Sequence, residues 1–160
     1  MATLPQLIED DIRQLDETLR EFLAQTDALV ALVLDKGGFI ITHQGEAGDL
    51  DLTTLGALAS GAFLASQTIA GLVKESDFNH TVLQGEFLSL CTLNVDEHCL
   101  LLVVFPTPTG IGVVKYYSVR VISVLARLLA LARERDPAGG LDLSELNVAD
   151  PGGLFRKQTE

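Results

Sequence analysis

Apolar residues along residues 4–22 recur with the period of an α-helix. Spacings of three and four bring six of them onto one face: Leu4, Ile8, Ile12, Leu15, Leu19 and Phe22. Six carboxylates occupy positions outside this stripe: Glu9, Asp10, Asp11, Asp16, Glu17 and Glu21. The pattern predicts an amphipathic first helix with an acidic outer face.

The next segment has the pattern of strands. Residues 28–35 form a continuous run of mostly branched apolar residues, which is typical of a strand buried on both faces. Gly37 and Gly38 supply a turn, because glycine adopts positive φ without steric cost. Residues 39–43 then return, so the segment predicts a hairpin whose first strand is central in its sheet.

A second helix is predicted from Asp51 to about Lys74, after a polar loop over residues 44–50. Asp51 is the expected N-cap, with Thr53 and Thr54 as alternatives. The expected buried stripe consists of apolar residues at helical spacing: Leu55, Leu58, Ala62, Ala65, Ile69 and Leu72. The other positions are mostly small: Gly56, Ala57, Ser60, Gly61, Ser66 and Gly71. Since each internal glycine costs about 1 kcal/mol relative to alanine, we expect the sheet, a second subunit or a partner protein to pack very close to this helix.

Three strands and a helix complete the predicted domain. Residues 81–84, 87–95 and 98–105 have strand composition and are joined by short links, which favour antiparallel neighbours. Apolar residues at helical spacing then mark a last helix that ends near Asp136: Val113, Val114, Tyr117, Val121, Leu125, Leu128 and Leu131. The predicted fold class is α/β, an α-β-β-α-β-β-β-α sandwich with a mostly antiparallel five-stranded sheet between helices.

Composition and charge narrow the function classes. The 160 residues are 48% apolar, which suits one folded domain. Eleven Lys and Arg stand against 22 Asp and Glu, a net charge of −11, and a surface this acidic repels nucleic acid and anionic lipid. The longest strongly apolar stretch, residues 99–105, is too short to span a bilayer, and the start of the chain lacks a secretion signal. We therefore expect a cytoplasmic protein that binds no nucleic acid and does not insert into a membrane.

The charges are also segregated along the chain. The first helix is acidic, whereas the last helix carries five of the basic residues: Lys115, Arg120, Arg127, Arg133 and Arg135. We expect these two helices to lie side by side on one face of the sheet, because complementary charges favour one neighbour over another. Cys91 and Cys99 lie in neighbouring apolar strands and are interpreted as reduced, buried thiols; whether they approach each other is left open.

Patterns of enzyme chemistry are weak. Residues 110–115 follow a strand and open a helix, as a phosphate-binding loop does, but Lys115 stands where a dinucleotide-binding loop has its third glycine. The histidines lack zinc-ligand spacing, and no GxSxG motif occurs. We expect no catalytic residue, no cofactor and no metal; a nucleotide binder that uses this loop is an alternative.

The predicted domain covers residues 1–136. Residues 137–160 are rich in Pro and Gly and carry Asp and Glu between apolar residues, among them Leu154 and Phe155. We interpret them as a flexible acidic tail; it is either a spacer or a docking segment that folds on a partner.

Three features together resemble the roadblock family, the family of the roadblock-type dynein light chains. They are the order of the predicted elements, residues 35–39 (DKGGF) and the start of the small-sided helix, residues 51–61 (DLTTLGALASG). The LGALASG segment, followed by Phe78, residues 84–86 (QGE) and residues 111–115 (IGVVK), is most similar to the bacterial MglB branch. The resemblance covers about residues 5–135, and the tail ending is similar to the acidic Leu-Phe end of that branch.

The resemblance implies a homodimer that is not itself an enzyme. Proteins of this branch bind the Ras-like small GTPase MglA and stimulate its GTP hydrolysis without inserting an arginine of their own. Their tail is implicated in a second contact that affects nucleotide exchange, and the pair sets polarity in motile bacteria. A roadblock-type scaffold or adaptor without effect on GTP hydrolysis is the alternative.

The resemblance places the partner-binding residues on the small-sided helix and in the tail: Ala57, Ser60, Gly61, Leu64, Thr68, Gly71, Leu154 and Phe155. Gly and Ala on a helix face let a partner backbone approach closely. The same face could equally serve dimer packing. Leu64 and Thr68 are larger than the Ala and Gly common at the matching places in the family.

Overall fold

The computed structural model describes residues 6–135, which fold as three helices and five strands. The helices are α1 (Glu9–Thr26), α2 (Leu52–Leu72) and α3 (Ile111–Glu134), and a 3-10 turn precedes α3. The strands are β1 (Val30–Asp35), β2 (Ile40–Gly45), β3 (His80–Gln84), β4 (Leu88–Asn94) and β5 (Cys99–Pro106). The predicted order of elements is confirmed.

The strands form one antiparallel sheet in the order β2-β1-β5-β4-β3. The two predicted all-apolar strands, β1 and β5, are neighbours, with Leu32 opposite Leu102. Both are almost wholly buried, because α1 and α3 cover one face of the sheet and α2 covers the other. This leaves β2 and β3 as the two edges.

Helices α1 and α3 lie side by side, as the charge pattern predicted. Arg135 at the end of α3 donates two hydrogen bonds to Asp11 of α1, at 2.6 and 3.0 Å. Asp11 also accepts the Ile8 amide at the start of α1. The Arg135 guanidinium, together with that amide, outweighs burial and holds the pKa of Asp11 below its usual range.

The predicted outer face of α1 is wrong at one position. Asp11 was expected among the outer carboxylates, but it is buried, because its carboxylate is paired with Arg135. On α3, Val113 and Leu131 of the apolar pattern are exposed, whereas Ser118 and Leu129 lie inward. Helix α1 begins only at Glu9, and Leu4 lies outside the described residues.

The two cysteines share the sheet face under α1 and α3 but do not approach each other. Cys91 is opposite Val103, and Cys99 lies four residues before Val103, at the start of β5, so the two cysteines are about 13 Å apart along the strand direction. A disulfide needs Cα atoms within about 7 Å, so the two thiols cannot be joined. Burial raises the pKa of each thiol to about 11.

Candidate functional site

Helix α2 starts at a side-chain cap. The carboxylate of Asp51 accepts the Thr54 amide at 3.1 Å and the Thr54 hydroxyl at 2.6 Å, as predicted for the N-cap. These hydrogen bonds lower the pKa of Asp51. The cap fixes where the helix begins.

The turn and the helix make a close backbone contact. Gly38 has φ +94°, and a Cβ there would lie 2.9 Å from the Cα of Ala57. A Cβ on Gly56 would lie 3.0 Å from a methyl of Leu34. The hydroxyl of Ser60 donates to the carbonyl of Lys36 at 2.6 Å. Small residues at this point therefore let α2 lie directly on the hairpin.

The buried face of α2 is formed mainly by small residues. Its buried positions are Gly56, Ser60, Phe63, Ser66 and Ala70. Leucines and valines of β1 and β5 already fill the space above the sheet, so the helix adds one large side chain, Phe63. Further along, the side chain of Gln67 both donates to and accepts from the backbone of Phe78, at 2.8 and 3.2 Å.

The predicted buried stripe of α2 is therefore wrong. Leu58 is 68% exposed and Leu72 is 79% exposed. Ile69 and both alanines of the stripe, Ala62 and Ala65, are exposed as well. Of the leucines in that stripe only Leu55 is partly buried against the sheet. The sequence misleads here because the sheet supplies the large side chains, so small residues turn inward and large ones outward.

The residues predicted to bind a partner divide in three ways. Five of them lie on the exposed surface of α2: Ala57, Gly61, Leu64, Thr68 and Gly71. Placing Ser60 on this surface is wrong, because it is only 2% exposed and its hydroxyl is used inside the chain. Leu154 and Phe155 lie outside the described residues.

Two glycines of α2 have no role in packing within the described part of the chain. A Cβ on Gly61 or on Gly71 would meet no atom within 4 Å, in contrast to Gly56. Of the three places where we expected a close neighbour, the sheet accounts for Gly56 alone. Gly61 and Gly71 leave the helix backbone open to another molecule.

The exposed surface of α2 is apolar and uncharged. No Asp, Glu, Lys or Arg occurs between Asp51 and Lys74. By length and composition alone, the 21-residue helix would pass as a membrane span. Here, however, one face is fixed to the rest of the domain: Phe63 packs on the sheet, and Ser60 and Gln67 donate hydrogen bonds to the loops at Lys36 and Phe78. The remaining surface is one that another protein could cover.

The apolar surface extends beyond α2 in two directions. Phe39 follows the turn that contacts Ala57 and is 70% exposed. On edge strand β3, Leu83 is exposed and lies opposite Leu90, which packs against the core under α2. Sequence reasoning missed both residues as part of the site, although the absence of charge along α2 was a signal that this face is covered.

The loop at residues 110–115, the alternative nucleotide site, shows fewer features of a binding site than α2 does. Gly110 has φ +83° and starts α3 without a side-chain cap, and a Cβ on Gly110 or Gly112 would meet no atom within 4 Å in the described chain. Lys115 is exposed. Across residues 6–135, no group of three His, Cys, Asp or Glu side chains is placed to hold a metal ion.

The family comparison matches residues 14–105 to the model of the Roadblock/LC7 domain. This span includes β1 to β4, the whole of α2 and β5 except its last residue, Pro106. A search among curated proteins gave no significant match.

Solved structures show the same fold. The gliding protein MglB of Thermus thermophilus is 33% identical with a TM-score of 0.73, covering 78% of this chain and 95% of that one. A structure of MglB with a tetrameric arrangement is 32% identical with a TM-score of 0.75, covering 79% and 95%. Myxococcus xanthus MglB has a TM-score of 0.74 over 81% and 97% of the two chains, and at 22% identity it supports the fold alone.

Proposed function

We propose a function from one established premise: this chain belongs to the Roadblock/LC7 family, and its structure is similar to bacterial MglB. The chain acts as a homodimeric, non-enzymatic regulator in the cytoplasm. It binds a Ras-like small GTPase of the MglA type and stimulates GTP hydrolysis by that partner. Its cellular role is in polarity and motility.

One observation carries this proposal: the apolar, uncharged surface of α2 with its open backbone. A Cβ on Gly61 or Gly71 would meet no atom within 4 Å in the described chain, and Leu64 is exposed on the same helix. Small residues on a helix surface allow a partner backbone to approach closely. The site is a shaped surface rather than a set of reacting groups.

Such a surface is sufficient to accelerate hydrolysis. A GTPase carries its own magnesium and phosphate-binding groups, and its rate depends on how its switch loops place the attacking water and the charge-stabilising side chains. A protein that holds these loops in the productive arrangement contributes orientation, which is worth orders of magnitude in rate. The regulator then needs no arginine of its own in the partner's active site.

Edge strand β3 supports self-association. It has a neighbour on one side only, and Leu83 and Val82 on it are exposed. A bare apolar edge is a template for pairing with another strand. We propose that β3 of two copies pair, so that the α2 helices of the dimer lie on one face and form a shared surface for the GTPase.

The tail enters the proposal as a second contact. We propose that residues 137–160, through Leu154 and Phe155, affect nucleotide exchange on the partner. Truncation after Arg135 is expected to leave the dimer intact and to change partner affinity or the rate of nucleotide release. If neither quantity changes, the tail is a spacer.

The decisive experiment is single-turnover GTP hydrolysis by an MglA-type GTPase, with and without this protein. We expect hydrolysis to accelerate with the wild type and to return to the intrinsic rate with the Leu64→Arg/Thr68→Arg variant. The matched control is Leu131→Arg, an exposed leucine on α3 at the other face of the sheet. Sedimentation of the double variant checks that it remains dimeric.

The outcomes separate the proposal from its alternative. Binding without any rate change at saturating concentration would identify a scaffold or adaptor. Unchanged activity of the double variant would move the GTPase contact away from α2. Loss of activity together with dissociation would assign this surface to dimer packing.

A further inference from the structure

A groove runs between α1 and α3 on the face of the sheet opposite α2. It encloses about 710 Å³, within the size range of ligand pockets. Residues of the first half of α3 and the end of α1 line it: Gln25, Tyr116, Tyr117, Val119, Arg120 and Val124. Nothing in the proposed contact with a GTPase uses this groove.

The rim of the groove exposes large side chains. Tyr116 is 75% exposed and Val119 is 73% exposed, although both belong to a helix whose opposite face is in the core. The rings of Tyr116 and Tyr117 pack edge to face, with their centroids 5.0 Å apart. The pair places two aromatic rings at the opening of the groove. Such a rim offers apolar contact area to an extended segment of chain.

The α3 wall of the groove is basic. Arg120 lies 3.9 Å from Glu21 of α1, an exposed pair that is worth little in water. Arg127 lines an adjoining recess two turns further along α3 and forms no ion pair among residues 6–135. Carboxylates on a bound segment would therefore find partners along this wall.

The residues that follow Arg135 start close enough to the groove for an extended chain to reach it. Arg135 is anchored to Asp11, and the groove lies 11 to 19 residues back along α3, about 16–28 Å away. Leu141 and Val148 are 6 and 13 residues past Arg135, within about 20–45 Å of extended chain. The reach of this segment and the position of the groove agree.

The composition of that segment complements the groove. Residues 137–155 contain three carboxylates and no Lys or Arg. Four of the five Leu and Val residues of this range lie in residues 141–148: Leu141, Leu143, Leu146 and Val148. We propose that residues 141–148 bind in the α1–α3 groove of their own chain. Leu141 then lies at the near end of the groove by Val124, and the aliphatic residues after it lie on Val119 and Tyr116. The carboxylates of the segment face Arg120 and Arg127.

The chain provides its own probe for this contact. Tyr116 and Tyr117 are its only two tyrosines, and it has no tryptophan. A full-length chain labelled with fluorotyrosine therefore has two fluorine resonances, and both report on the groove. We expect at least one to move when the chain is truncated after Arg135, and to return when a peptide of residues 137–160 is added to the truncated protein.

Matched variants identify the contact. A peptide with Leu141→Ser, Leu143→Ser and Leu146→Ser should bind the truncated protein at least about tenfold more weakly, the equivalent of about 1.4 kcal/mol. In the full chain, Val119→Asp should reproduce the effect of truncation on Tyr117. Leu72→Asp, an exposed site on α2, should not.

Three results would overturn the proposal. Identical resonances in the full and truncated chains show that the segment does not occupy the groove. Shifts that depend on protein concentration and survive truncation assign the groove to a second copy. Shifts that need an added GTPase assign it to that partner. Hydrolysis assays with the truncated chain are independent of all three, so the proposed function can stand or fall separately.

Discussion

The two faces of the central sheet are covered in different ways. Under α1 and α3, seventeen buried residues form one core cluster, and eight of them come from the two helices. Under α2 the corresponding cluster has seven buried residues, and the helix supplies only Phe63. Ion pairs join α1 to α3, whereas α2 has no charged residue at all.

The difference separates a face that the chain largely completes itself from one that it leaves open. Both α1 and α3 contribute to the core and ion pairs join them, although Tyr116 and Val119 are exposed at the groove and Arg127 forms no ion pair among residues 6–135. The α2 face leaves leucines outside and glycines open, which costs stability unless something covers them. This is the surface on which we propose that the partner binds.

The largest expected effect comes from removing the one large residue of α2 in the core. Phe63→Ala should lower the free energy of unfolding by about 3–5 kcal/mol, because it leaves a cavity between α2 and the sheet. Urea denaturation measures this loss. In the Phe63→Ala variant, the backbone amides of α2 should exchange hydrogen faster than those of α1 and α3. An equal loss of amide protection in all three helices would contradict the contrast between the two faces.

The next effect concerns the ion pair behind the β4–β5 turn. Asp96 accepts a hydrogen bond from Arg133 at 2.7 Å and holds the amides of His98 and Cys99, both at 2.8 Å. Asp96→Ala should lower the free energy of unfolding by about 2–4 kcal/mol, since it leaves a partly buried guanidinium unpaired. Asp10→Ala, which removes an exposed pair with Arg13, is the control and should change it by less than about 0.5 kcal/mol.

The pairing of Asp11 with Arg135 predicts a pH dependence on the α1–α3 face. Because the pKa of Asp11 is lowered in the folded state, its contribution to stability is present above the unfolded pKa of about 3.9 and is lost as pH falls through the folded value. Asp11→Asn should cost about 1 kcal/mol at pH 7. The difference between variant and wild type should shrink below pH 4 in acid titrations of stability; a constant difference would show that the charge is not responsible.

The smallest effect on stability is expected on the exposed surface of α2. Leu58→Ser and Leu72→Ser should leave the free energy of unfolding of the monomer within about 0.5 kcal/mol, because both side chains are mostly in solvent. They should nevertheless weaken self-association or stimulation of GTP hydrolysis. A large loss of monomer stability would show that these leucines are part of the core after all.

Sequence patterns predicted α1 and α3 better than α2. Leu15, Leu19 and Phe22 recur at helical spacing on α1 and are buried as expected. On α2 the helical spacing of large apolar residues predicted the wrong buried face, because this reasoning assumes that large apolar residues lie inside. The Asp51 cap and the small residues of the candidate site were readable from the sequence, but the inward direction of Ser60 was not.

The sequence by itself determined the order of the elements, the two central strands and the charge complementarity of the outer helices. These follow from periodicity, turn glycines and charge, which are local properties of the chain. The tertiary structure alone decided which side of α2 meets the sheet, that Asp11 is buried, and that Cys91 and Cys99 stay about 13 Å apart. Those outcomes depend on how much space the sheet side chains leave and on strand register, and both are set only when distant segments pack together.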